Sequence, residues 1–260
     1  IALTFYISGL SPYIAMPFSF LAGGVLSLVF YRILSLLQDK GIGLIGLMIA
    51  SLGLDFIVYG FVNIFADYIT YTLKVFAREF QLRAADFMVF DFAPGVFFIS
   101  LGTAVALAIF FHLFLTRTRL GIAMRAIVQN YSLAWSQGIN IEFVLSVSWF
   151  LVGGLAGIAG SIWPMWFTTS PFTGAIMLTR ILAAVVVGGL LSIYGSLLGG
   201  FIIGGVEGAV LFGLITTLGT WVGPYRLIIP VAITCAMLIL APHGIADLIA
   251  KFREGKTGSW

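Results

Sequence analysis

Two carboxylates lie inside apolar runs of the chain, and they are the side chains best able to bind a cation, a proton or a hydrogen-bond donor there. Asp55 and Glu207 each interrupt a run that is otherwise apolar enough to cross a membrane. An ionisable group at the centre of such a run costs roughly 2.5 to 3.5 kcal/mol on insertion scales, so it faces a bundle interior or a polar cavity. Both residues are therefore candidates for a substrate path.

Glu207 also has structural interpretations. At about 100° per residue it shares a helix face with Gly200 and lies one turn from Gly204. It could be protonated and hydrogen-bonded, paired with Arg180 or another base, or part of a pathway. Arg180 stands at the edge of its own run, where a position with the guanidinium at the membrane interface is favoured over binding a carboxylate.

Asp55 belongs to a polar stripe, with Ser51 and Tyr59 one turn to either side. Such a stripe lines either a translocation path or a contact between helices. The two alternatives stay open at this level, because one carboxylate can bind a substrate ammonium group or an interhelical donor.

The remaining reactive side chains indicate neither a metal site nor an enzyme. His112 and His243 lie far apart in sequence, and Cys235 is the single cysteine. The chain contains no HExxH helix, no G-x-S-x-G elbow and no phosphate-binding P-loop. We therefore expect a non-enzymatic chain that itself binds no metal, no cofactor and no ATP.

Composition determines which elements must position these residues. Hydrophobic residues make up 61% of the chain and charged residues 9%, against roughly 25% charged in soluble domains. The apolar runs do not alternate as barrel strands do, so they must be helices. The sequence predicts an all-α polytopic transmembrane helical bundle forming one domain over 1–260, beginning inside an apolar run and lacking its N-terminal spans. The expected spans are 13–37, 43–65, 96–115, 143–163, 177–191, 197–218 and 227–240.

Glycine spacing predicts where these helices pack. The chain has 31 glycines, and many recur every fourth residue, which places them on one helix face and lets backbones approach. The segment 177–191 is short for a crossing, and the glycines that follow Val187 indicate a broken or re-entrant helix. The packing candidates are Gly153 with Gly157, Gly195 with Gly199, and Gly200 with Gly204 and Gly208.

Segment 117–140 is a long basic interruption between two spans. Its apolar residues recur at helical spacing, so one face can pack on protein while Arg117, Arg119 and Arg125 stay in water. A cytoplasmic position for it puts most Lys and Arg on the inside, as the positive-inside rule requires. The packing face comprises Leu120, Met124, Ile127, Tyr131 and Ala134. The segment is either a helix that docks a soluble partner or a loop helix that only anchors two spans.

A second polar segment, 67–93, lies on the opposite, external side in this arrangement. It mixes aromatic residues with Lys and Arg and is too charged to span. Aromatic rings and long basic side chains are both stable at a membrane interface. We expect 67–93 to lie along the outer interface.

Taken together, these motifs resemble permease subunits of branched-chain amino acid ABC importers. The family has G-x-A-M-R-A, a short helix with Ala, then Gly-Ile-Asn and a span of small residues. The matching positions here are Gly121, Ala123, Met124, Arg125, Ala126, Ala134, Gly138, Ile139 and Asn140, followed downstream by Gly188–Gly189, Gly195, Gly199, Gly204, Glu207, Pro242 and Gly244. Two positions depart from the family pattern: Ala241 replaces a common Arg, and Asp55 replaces an expected small polar residue.

The resemblance implies a permease that transports branched-chain or related amino acids. Its partners would be two cytoplasmic ATPase subunits that bind ATP and Mg²⁺, a second permease subunit and an extracytoplasmic substrate-binding protein, within the prokaryotic cell (inner) membrane and with no nucleic acid. The G-x-A-M-R-A to Gly-Ile-Asn positions, from Gly121 to Asn140, would couple the permease to ATPase. The rival interpretation is an ATP-independent secondary transporter or channel that uses Asp55 and Glu207 as ion or proton sites.

Overall fold

The computed structural model describes residues 1–74, 76–89, 93–189, 192–240 and 244, and most of them are helical. The helices are α1 (Ala2–Ile7), α2 (Ala15–Asp39), α3 (Leu44–Leu73), α4 (Gly95–Arg117), α5 (Arg119–Gln129), α6 (Tyr131–Ser136), α7 (Ile141–Trp166), α8 (Thr173–Gly188), α9 (Ile193–Leu218) and α10 (Ile228–Leu240). Three 3₁₀ turns, Pro12–Ile14, Arg83–Ala85 and Thr220–Leu227, and the two-residue strands β1 (Met88–Val89) and β2 (Ala93–Pro94) complete the described elements.

Within the described residues, five helices are long and apolar enough to cross a membrane: α2, α3, α4, α7 and α9. Shorter apolar helices occupy the two remaining predicted spans. This confirms the all-α polytopic bundle. The break expected after Val187 is present, since α8 ends at Gly188 and Gly189 has a φ of 109°.

The chain forms two compact units, Ile1–Pro171 and Phe172–Trp260, which we describe separately. The first contains α1 to α7, and the second contains α8 to α10. The prediction of one domain over 1–260 stays a prediction.

The most extensive helix contact of the first unit is the crossing of α2 and α7. A Cβ atom at Gly153 would collide with Ser27 and with the backbone oxygen of Gly23, and one at Gly157 would collide with the backbone oxygen of Ser19. Backbones that approach this closely leave no room for a side chain. Both glycines of the expected pair, Gly153 and Gly157, therefore lie where the backbones of α2 and α7 are in contact.

Helix α3 is the least covered span of the first unit. Its 30 residues include only two buried ones, Ala66 and Ile69. Both belong to a cluster of buried residues that also contains Ala77 and Leu82 of segment 67–93, which we call the outer segment. The apolar side chains along the rest of α3 are largely exposed, for example Phe56 at 71% and Phe61 at 68%. Most of this helix therefore presents its surface to lipid or to another chain.

The outer segment starts inside α3, because residues 67–73 continue that helix. The chain then turns back over the end of α7: Phe80 and Thr169 exchange backbone hydrogen bonds of 3.1 and 2.8 Å, and the Leu82 amide donates to Pro164 at 2.8 Å. Arg78 donates to both oxygens of Asp67 at 2.7 and 3.0 Å, which raises the pKa of its guanidinium. Its location along a membrane interface stays a prediction.

Candidate functional site

The basic segment between α4 and α7 consists of two short helices where the periodicity predicted one. Thr118 caps α5, because its hydroxyl oxygen accepts from the Gly121 amide at 3.0 Å. Asn130 then breaks the helix with an extended backbone (φ −158°) and caps α6 by accepting from the Leu133 amide at 3.0 Å. An Asn side chain of this kind is a strong helix-start signal, and it could have been recognised in the sequence.

The Gly-Ile-Asn motif forms the turn into α7. Gly138 has a φ of 76°, its amide donates to Trp135 at 3.0 Å, and the Ile139 amide donates to Ala134 at 3.2 Å. These two bonds form the Schellman arrangement that ends a helix at a glycine. Asn140 accepts from the Phe143 amide at 3.0 Å and caps α7. The motif therefore fixes the direction in which α7 leaves α6.

The remaining family positions in the segment divide into packed and exposed residues. Gly121 is buried, and a Cβ there would collide with the backbone of Phe114 and Leu115 at the end of α4. Ala134 is 3% exposed. Ala126 and Met124 are half-buried, whereas Arg125 is exposed.

Several apolar side chains of the segment point away from the first unit. Tyr131, which helical spacing assigned to the packing face, is exposed because the chain breaks at Asn130. We call the following four side chains the docking surface: Ile122 (52% exposed), Val128 (81%), Leu133 (57%) and Trp135 (72%). Leu133 and Trp135 are two residues apart and lie on nearly opposite sides of α6, so the four side chains are spread over both short helices rather than gathered in one patch.

An open polar cavity of about 690 Å³ adjoins the docking surface. Trp135 and Tyr131 line one side of it, and the C-terminal end of α2 lines the other. Arg32 of α2 and Glu142 of α7 form an ion pair in its wall, with both side chains more than half exposed. The cavity thus lies where the segment meets the α2 and α7 crossing.

In the second unit, Glu207 is held by Arg180. The Arg180 Nε lies 2.9 Å from one Glu207 oxygen and its Nη2 lies 2.6 Å from the other, with the side chains 12% and 13% exposed. A two-point guanidinium–carboxylate pair is strong and geometrically specific. Arg180 therefore binds a carboxylate, contrary to the interface position that its sequence context favoured. Of the alternatives open for Glu207, the structure contains the pair with Arg180.

The glycines of α9 fall on two sides of the helix. A Cβ at Gly199 would collide with the Ala184 oxygen, and one at Gly188 would collide with Gly195, so these residues form the α8 and α9 contact. Gly200, Gly204 and Gly208 have no heavy atom within 4 Å of an added Cβ. A packing role for these three stays a prediction and requires a surface beyond the described contacts.

Asp55 is exposed on α3 and makes no hydrogen bond or ion pair within the described part of the first unit. The described residues contain no group of three or more His, Cys, Asp or Glu that could hold a metal ion. Ala241, Pro242 and His243 lie outside the described residues.

Comparison with known proteins links this architecture to membrane transport. Residues 1–242 match the sequence profile of a family described as "Branched-chain amino acid transport system / permease component". A probable branched-chain amino acid transport permease protein LivH of Methanocaldococcus jannaschii is 35% identical over 240 residues, which is 92% of this chain and 76% of the relative. No solved structure matches significantly.

Bacterial relatives match over a shorter region. The high-affinity branched-chain amino acid transport system permease protein LivH of Salmonella typhimurium is 27% identical over 134 residues, and BraD of Pseudomonas aeruginosa, with the same description, is 29% identical over 136 residues. Each alignment covers 51% of this chain and 41% of the relative.

Proposed function

The chain belongs to the family of branched-chain amino acid transport permease components, and we propose from this premise that it is the membrane-spanning subunit of an ABC importer. In this proposal it forms the translocation path for branched-chain or related amino acids. ATP and Mg²⁺ bind to separate cytoplasmic ATPase subunits, and this chain binds no cofactor. A second permease subunit and an extracytoplasmic substrate-binding protein complete the assembly.

The docking surface is the observation that carries this proposal. Four exposed apolar side chains project from a segment that also exposes Arg117, Arg119 and Arg125. Lipid would leave the arginines without polar contacts, and water would leave the apolar side chains uncovered. A soluble subunit with an apolar groove and acidic rim would suit both kinds of side chain. We assign this surface to the ATPase subunit.

The segment is built to move as one piece with the spans it joins. Caps at Thr118, Asn130 and Asn140 fix both short helices and the start of α7. Helix α7 in turn contacts α2 backbone to backbone at Gly153 and Gly157. When ATP draws the ATPase subunits together, a displacement of the segment shifts α7 and α2, and with them the inward-facing and outward-facing populations.

The rival interpretation, ATP-independent transport through Asp55 and Glu207, is less well supported. Its ion site at Glu207 would require a carboxylate that Arg180 already engages at two points.

Affinity purification in mild detergent tests the proposal. The full-length permease, expressed with its own ATPase subunit, should retain that subunit and its ATP hydrolysis. Trp135→Glu should abolish retention, because it places a charge in the apolar docking surface. Met88→Glu is the matched control, since Met88 is 73% exposed but lies in the outer segment. Equal retention in both variants would contradict the assignment of the docking surface.

A further inference from the structure

Asp55 lies at the middle of α3 in the membrane direction. It lies eleven positions after the start of the helix at Leu44 and twelve positions before Asp67 of the pair with Arg78, distances of about 17 and 18 Å at 1.5 Å per residue. A bilayer core is about 30 Å thick. If Leu44 and Asp67 mark its two boundaries, Asp55 lies near the midplane, where transporters bind their substrates.

The polar neighbours of Asp55 on α3 are satisfied by their own helix. The Ser51 hydroxyl donates to the Met48 carbonyl at 2.8 Å, and the Asn63 amide nitrogen donates to the Tyr59 carbonyl at 2.8 Å. Asp55 cannot make a bond of this kind, because an ionised carboxylate accepts hydrogen bonds but cannot donate one to a backbone oxygen. While Asp55 is ionised, the group that pairs with it has to come from outside α3.

Two other carboxylates in apolar helices of this chain are each met by an arginine. Glu207 is bound by Arg180, and Asp67, nearer the end of α3, is bound by Arg78. Within the described part of the first unit, no base approaches Asp55 to form such a pair. A charge at that depth is too costly to face lipid. The side of α3 that carries Asp55 must therefore face a polar cavity or a group of opposite charge.

We propose that Asp55 lines the translocation path and binds the α-ammonium group of the amino acid in transit. This rests on the proposed function as an amino acid permease. The carboxylate supplies the opposite charge for the ammonium group, while Leu52 and Tyr59, one turn away on either side and 61% and 42% exposed, offer apolar surface to a branched side chain. Asp55 thereby selects amino acids over carboxylic acids that have the same side chain.

The test measures whether Asp55 and the ammonium group interact with each other. The complete permease and ATPase complex, in lipid nanodiscs without the binding protein, is titrated with L-leucine and with 4-methylpentanoate, which is leucine without its ammonium group. Affinities are read by saturation-transfer NMR, which detects weak ligands. Because a charge-assisted hydrogen bond contributes roughly 10- to 100-fold in affinity, the wild type should prefer leucine by about 10-fold or more.

Asp55→Asn should bring that preference close to 1, since the ammonium group of leucine then has no carboxylate to bind. Asp55→Glu should retain most of it, and it serves as the second variant if Asp55→Asn does not assemble. Ser51→Ala, one turn away, is the matched control and should leave the preference unchanged. This comparison cancels any loss of affinity that comes only from altered structure, because both ligands suffer it equally.

Three outcomes would overturn the proposal: no leucine preference in the wild type, an unchanged preference in Asp55→Asn, or, where the Asp55→Asn pair dissociates, no leucine preference in Asp55→Glu. The last would identify Asp55 as a contact between subunits and not as a ligand of the ammonium group. A wild type that retains no ATPase subunit would instead contradict the proposed function, so the two failures are distinguishable.

Discussion

Arg180 and Glu207 join α8 to α9 through a two-point ion pair, with Nε and Nη2 of the guanidinium 2.9 and 2.6 Å from the two carboxylate oxygens. Both side chains are about one-eighth exposed. A two-point pair holds two helices in a defined register, because both hydrogen bonds form only at one alignment of α8 and α9.

Glu207→Ala should therefore destabilise the protein strongly. Removing one partner of a buried ion pair typically costs about 3 to 5 kcal/mol, because the remaining charge loses its counter-ion. Arg180→Met together with Glu207→Met should recover most of that loss, since neither charge of the pair remains. Thermal unfolding of the purified protein, followed by fluorescence-detected gel filtration, measures both. A double variant no more stable than Glu207→Ala would contradict the assignment.

The α2 and α7 crossing should tolerate no side chain at Gly157. Gly157→Val forces apart backbones that are in contact at Ser19, and overpacking of this kind typically costs about 1 to 3 kcal/mol. Gly160→Val is the matched control on the same helix, because nothing lies within 4 Å of an added Cβ there. Melting temperatures should fall for the first and change little for the second. Equal melting temperatures for the two variants would exclude the close crossing.

Arg125→Glu and Gly138→Trp should weaken ATPase assembly while membrane insertion stays intact. Arg125 is exposed beside the docking surface, and Gly138 adopts a φ of 76° that costs an L-residue roughly 1 to 2 kcal/mol. Arg83→Glu, an exposed arginine of the outer segment, is the control. ATP-dependent uptake by cells, with membrane quantity determined by immunoblot, reports the effect. Normal uptake in both variants would contradict a coupling role for the segment.

Much of the architecture was predictable because a bilayer allows few solutions. Apolar runs of sufficient length have to be helices, so the predicted spans correspond to described helices. The resemblance to branched-chain amino acid permeases is confirmed by the family match over residues 1–242 and by the archaeal relative. The same findings support a multi-pass location in the prokaryotic cell (inner) membrane.

Other features depend on contacts that a linear pattern does not contain. Arg180, the partner of Glu207, lies 27 residues away in sequence. Which base pairs with Glu207 therefore depends on the register between α8 and α9. The break at Asn130 is a different case: hydrophobic periodicity continues across it, but the Asn side chain that caps α6 is a helix-start signal within the sequence itself. Which glycines of α9 pack on α8 likewise depends on the register: Gly199 does, and Gly204 does not.

ATP-driven uptake by the reconstituted transporter tests the central claim most directly. The permease is reconstituted into liposomes with its ATPase subunits, a second permease subunit and the binding protein, and radiolabelled leucine is supplied on the side of the binding protein. We expect leucine to accumulate only with ATP and Mg²⁺ on the ATPase side, and to do so without any proton or sodium gradient. Accumulation that follows an ion gradient and ignores ATP would contradict the account.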